Sequence, residues 1–81
     1  MTLDKQIGER IALHINTLDM GQGAYASEVA LPPSTLSSIV RGAGQLTIGN
    51  LYKIAERWGL SLNWLIFGVG PMTLAEGFKP Y

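Results

Sequence analysis

The chain has 81 residues, which allows one small domain with a modest core. It contains no cysteine, which rules out disulfides and thiolate metal sites and is compatible with a reducing cytoplasm. Its formal net charge is zero, so it lacks the overall basic excess common in nucleic-acid binders.

Residues 3 to 18 read as the first helix. Leu3, Ile7, Ile11, Ile15 and Leu18 form one apolar stripe, with Lys5, Glu9 and Asn16 turned to water. Asp4 complements the helix dipole. Asp19 is expected to end the helix, because aspartate tolerates left-handed backbone better than most residues. No charged stretch followed by an apolar core opens the chain, so no secretory signal is expected.

Gly21 is a weak N-cap for a second helix, and Met20 and Tyr25 have the spacing of a hydrophobic staple. In that helix Tyr25, Ala26 and Val29 share one face. Gly23 costs about 1 kcal/mol there relative to alanine, unless the backbone approaches a partner closely. The pattern breaks at Ala30-Leu31-Pro32. Pro32 and Pro33 forbid a continuous helix, and Pro33 suits the first turn of a new one. The third helix runs from about Pro33 to Arg41, with Leu36, Ile39 and Val40 inward and Gly42 as the left-handed residue after its end.

Ala43 to Leu46 is a loop. Thr47 is a good N-cap for a fourth helix carrying Ile48, Leu51, Ile54, Ala55 and Trp58 inward, closed by Gly59. Ser61 caps a fifth helix with Leu62, Leu65 and Ile66. Leu60 to Val69, the longest apolar run, is interrupted by Ser61, Asn63 and Gly68 and is too short to span a bilayer. Trp64 to Phe67 are four consecutive apolar residues. One core cannot receive them all, so Trp64 and Phe67 are expected to face out or meet a partner. Gly68-Val69-Gly70-Pro71 breaks the chain. These readings give an all-α bundle of five short helices over residues 1–70 and a tail over 71–81, which is a frayed end, an added strand or a dimerisation arm.

The run from Gln22 to Arg41 resembles the helix-turn-helix of the phage Cro and repressor family (XRE type). Gln22 stands at its opening glutamine and Ala26 at the small residue where the two helices cross. Leu31 stands at the apolar turn residue, with Leu36 and Ile39 at the core positions of the second helix. Gly42, Ile54-Ala55, Trp58-Gly59-Leu60 and Ser61 to Leu65 continue the pattern, and Ile7 to Ile11 resembles its first helix. The likeness covers roughly residues 5 to 68.

The resemblance implies a lambda-repressor-like domain that binds duplex DNA, as a homodimeric transcriptional repressor of phage or prophage type on a palindromic operator. Gln22 and the amides at its helix start would grip a phosphate. Pro33, Ser34, Thr35, Ser37, Ser38 and Arg41 would face the major groove. Hydroxyls discriminate less than a bidentate arginine–guanine pair, worth about 1–3 kcal/mol, so water bridges and DNA shape would carry more of the specificity. Arg41, Lys53 and Arg57 are the cations near that face, with Asn50 beside Lys53 and Gln45 in a loop that is often basic in the family. Trp64, Ile66 and Phe67 are the expected dimer interface. Family members commonly pair an arginine late in helix one with an acid near the end of helix three. Ile15 and Val40 stand there, so direct apolar contact is expected instead.

His14, the lone histidine, is expected at the surface or its boundary. No paired carboxylates, catalytic triad spacing or nucleotide-binding loop can be argued, so catalysis, a cofactor, a metal, a small-molecule substrate and a membrane partner are not expected. The alternative is a protein-interaction module that keeps the scaffold without reading DNA, which the zero net charge favours.

Overall fold

The computed structural model describes residues 2–74. Its named elements are all helical: α1 (Leu3–Thr17), α2 (Gln22–Glu28), α3 (Pro33–Arg41), α4 (Ile48–Trp58) and a short fifth helix of π type, α5 (Asn63–Phe67). Leu60 and Thr73 form an isolated antiparallel bridge, flanked by hydrogen bonds from Ser61 N to Met72 O and from Leu74 N to Gly59 O. The start of the tail is thus held to the segment after α4 by a single bridge and not by a strand; residues 75–81, and with them most of the expected tail, lie outside the described residues.

Local chemistry sets the boundaries. Thr2 Oγ1 accepts the Lys5 amide and starts α1, and Asp19 takes φ 53° just past its end. Pro33 occupies the first turn of α3. Gly42 ends α3 at φ 69°, with Gly42 N bonded to Ile39 O and Ala43 N to Ser38 O. These paired bonds satisfy carbonyls that the helix end leaves free. Thr47 Oγ1 caps α4 through the Asn50 amide at 3.1 Å, and Gly59 closes it.

The turn between α2 and α3 repeats the α3 ending with a different residue. Ala30 N bonds to Ser27 O and Leu31 N to Ala26 O, and Ala30 holds φ 59° where glycine is usual. Leu31 and Ala26 are both buried, which supplies the apolar contact that accompanies such an ending.

The core gathers Ile7, Ile11 and Ile15 from α1, Tyr25, Ala26 and Val29 around α2, Leu36 and Ile39 from α3, Ile54 and Ala55 from α4, and Leu60 and Leu65. Burying each large aliphatic chain contributes roughly 2 kcal/mol. A seven-residue helix such as α2 is held by this burial, since it is too short to be stable alone.

α1 crosses α3 at Gly8. A Cβ there would lie 2.5 Å from Ile39 O and 2.6 Å from Val40 O. Ile15 is two turns further along α1, about 10 Å at 1.5 Å per residue. The crossing of these helices is therefore made at a glycine, two turns from Ile15.

Several sequence expectations are corrected. His14 is buried, at 3% exposure, because Tyr25 satisfies it and Trp58 packs on it. Ile48, expected inward, is 86% exposed: it lies on the stripe of α4, but in the first turn, which projects past the core. Leu3 is exposed for the same reason at the start of α1. Leu62 is also exposed, because the wider π turn rotates it off the core. Of the pair expected to face out, Phe67 does, whereas Trp64 packs half-buried against the core. Among the described residues, no helix is long and apolar enough to cross a membrane.

Candidate nucleic-acid interface

α3 is amphipathic. Leu36 and Ile39 fasten its inner face, and Pro33, Ser34 and Arg41 stand exposed on the other. Thr35, Ser37 and Ser38 are half-buried beside them. Arg41 Nε donates to Ser37 Oγ at 3.3 Å, so the guanidinium leans back over the hydroxyl face. Among the described residues its charge has no acidic partner.

α2 starts at Gly21, which offers no side-chain acceptor. The amides of Gln22, Gly23 and Ala24 therefore face solvent on exposed residues, with the Gln22 side chain alongside. Among the described residues nothing lies within 4 Å of the position a Cβ would take on Gly23.

Gln45 and Asn50 are brought together. Gln45 holds a left-handed φ of 69°, and its carbonyl accepts Asn50 Nδ2 at 2.7 Å. One half of the Asn50 amide is therefore committed to shaping the loop, while the Gln45 side chain remains exposed. Lys53 is exposed on α4. Arg57 is committed elsewhere: Glu28 accepts from its Nη2 at 2.5 Å and its Nε at 3.0 Å, and its guanidinium lies 4.1 Å over the Trp58 ring. An exposed pair of this kind adds about 0–1 kcal/mol. Its main effect is to tie α2 to α4 and offset the Arg57 charge.

Behind α2 sits a buried cluster that sequence reasoning missed. His14 Nδ1 lies 2.9 Å from Tyr25 Oη, Tyr25 stacks on Trp58 at 5.5 Å between ring centroids, and His14 meets Trp58 edge-on at 5.7 Å. Burial holds the His14 pKa below its usual 6.5 and pushes the Tyr25 pKa up. The cluster couples α1, α2 and α4, and α2 in turn supports α3. Arg10 was also missed. Its Nη1 donates to Leu65 O at 3.0 Å and Ile66 O at 2.9 Å, fastening α5 to α1. The local spacing of Arg10 carries no signal for partners 55 residues away.

Of the residues expected at a dimer interface, Phe67 is exposed, while Trp64 and Ile66 are half-buried against the core. Among the described residues, no group of three or more His, Asp or Glu side chains is placed to hold a metal. Comparison with known proteins finds no matching family model, no matching curated protein and no matching solved structure.

Proposed function

We propose that the chain is a sequence-specific duplex-DNA-binding regulator of the Cro and repressor helix-turn-helix type, acting as a homodimeric repressor on a palindromic operator. One observation carries this reading: α3 is pinned through Leu36 and Ile39, while on its polar side Pro33, Ser34 and Arg41 are exposed and Thr35, Ser37 and Ser38 half-buried. The uncapped, solvent-facing start of α2 supports it, because free amides there suit a phosphate. Gln22, Gln45, Asn50, Lys53 and Arg41 would position the chain on the DNA backbone. Pro33, Ser34, Thr35, Ser37 and Ser38 would meet base edges, the proline ring and threonine methyl suiting thymine methyls. The two copies would read half-sites about 34 Å apart.

The test is selection from random duplex DNA at about 100 mM salt, a concentration at which phosphate contacts still contribute. An enriched palindrome is the expected result. Recovery of unselected sequence alone would overturn the reading. The protein-interaction alternative gains from one specific observation, the Glu28–Arg57 pair, which leaves less free positive charge for DNA. It predicts no enrichment at any salt concentration.

A further inference from the structure

Alongside α4 and the segment after it runs a half-open groove of about 520 Å³. Leu51, Ala55, Leu60 and Ile66 line it, and Ile48, Tyr52 and Leu62 stand at it while being 86%, 57% and 51% exposed. One face thus carries both an apolar recess and large apolar side chains that project beside it. That combination is self-complementary, as a two-fold contact between identical surfaces requires.

We propose that this groove is the seat of a second copy of the chain, with Ile48 and Tyr52 of each copy entering the groove of the other. The inference rests on the homodimeric reading above and gives that reading a surface. Among the described residues that line it, Glu56 alone is charged. Depletion of charge with an aromatic present is the composition of a protein–protein interface core, and it is unsuited to a phosphate backbone. The area also agrees. A standard interface covers about 800 Å² per partner, of which roughly 60% is apolar, or near 500 Å². Ile48, Tyr52 and Leu62, at 86%, 57% and 51% exposure, together show about two whole large side chains, or ~300–400 Å² at roughly 150–200 Å² each, and half-buried Leu51, Ile66 and Leu74 add smaller shares. The surface differs from one built on Trp64 and Phe67: the core occupies much of Trp64, and Phe67 is outside the groove lining.

Sedimentation equilibrium of the full chain without DNA, from about 1 μM to about 1 mM, tests this. The wild type should pass from monomer to dimer. Tyr52→Glu and Leu62→Glu should each raise the dimer dissociation constant at least ~100-fold, the effect of roughly 2.7 kcal/mol. Both positions are exposed, so circular dichroism and the thermal midpoint of the monomer should stay as in wild type. Phe67→Glu should remain dimeric. A monomeric wild type throughout the range, an unaffected Tyr52→Glu, or a dimer broken only by Phe67→Glu would each overturn the proposal. If the wild type is monomeric but Phe78→Ser with Tyr81→Ser makes it dimerise, the chain's own last residues hold the groove, which also overturns it. Failure here is separable from failure of DNA reading. Disrupting the groove leaves weak binding to single half-sites, whereas a chain that does not read DNA can still dimerise.

Discussion

His14 Nδ1 and Tyr25 Oη sit 2.9 Å apart between α1 and α2, with both rings buried. Tyr25 and the Trp58 ring face the imidazole, and Arg57 lies on Trp58, so a proton added to His14 would meet no acid within that cluster. The folded state therefore favours neutral histidine, and its pKa lies below 6.5. Above pH 6.5 neither folded nor unfolded chain binds this proton, so stability is flat with respect to His14. As pH falls below 6.5 the unfolded chain takes up the proton first, and stability drops by up to about 1.4 kcal/mol per unit until the folded pKa is reached. Urea midpoints at pH 7.5, 6.5 and 5.5 should show this fall. In His14→Gln the additional loss between 6.5 and 5.5 should vanish; an equal loss in that variant would assign the effect to other groups.

Gly8 permits α1 to lie against the α3 carbonyls. Alanine there would place a methyl group 2.5–2.6 Å from two backbone oxygens that cannot rotate away. Overpacking costs about 1–3 kcal/mol, and here the helices themselves must separate. Gly8→Ala should destabilise the domain by about 3 kcal/mol in denaturant unfolding, although alanine is the better helix former. A neutral or stabilising effect would mean that the helices do not touch at this point.

Helix ends were legible where one residue type has one local role. Asp19, Gly42, Thr47 and Gly59 each take the backbone or hydrogen-bonding part their chemistry predicts. Residues whose environment depends on distant chain were not legible. His14 is buried because α2 and α4 bring Tyr25 and Trp58 to it, and Arg10 is engaged by carbonyls 55 and 56 residues away. Ile48 follows the apolar period of α4 faithfully, but periodicity does not tell where the core stops. At α5 the period itself changes, since a π turn breaks the 3.6-residue spacing used to read Leu62. For the candidate site, the buried side of α3 followed from the spacing of Leu36 and Ile39, while the half-burial of Thr35, Ser37 and Ser38 did not. The commitment of Arg57 to Glu28, 29 residues apart, did not.

Ala30 adopts a left-handed conformation in the turn before α3. A non-glycine residue loses roughly 1–2 kcal/mol there, and glycine returns about half of that in unfolded-chain entropy. Ala30→Gly should therefore stabilise by about 1 kcal/mol, raising the thermal midpoint by about 4–8 °C in a domain this small. A lowered midpoint would show that the Ala30 methyl is needed for packing.

Gly23 lies in the exposed first turn of α2 with open space around it. Among the described residues no packing contact demands glycine, so Gly23→Ala should stabilise the domain by up to about 1 kcal/mol. If the amides of that turn approach a phosphate, the same variant should bind the selected operator several-fold more weakly. Increased stability with unchanged operator affinity would remove this turn from the interface.

If the chain binds DNA as proposed, the three cations near α3 should not contribute alike. Arg57 donates twice to Glu28 Oε1 and stacks on Trp58, so moving it to a phosphate would leave that acid unpaired. Among the described residues Arg41 is bound only to a neutral hydroxyl, and Lys53 is exposed, so both can move at little cost. One phosphate contact from each, in two subunits, gives a slope of log affinity against log salt near −4. Arg41→Ala should bring the slope toward about −2 with a matching loss of affinity at 100 mM salt, because both subunits lose a contact. Arg57→Ala should leave the slope near −4. If Arg41→Ala matches wild type in slope and affinity while Arg57→Ala shifts both, the DNA lies across α4 rather than along α3, and the polar face of α3 has some other partner.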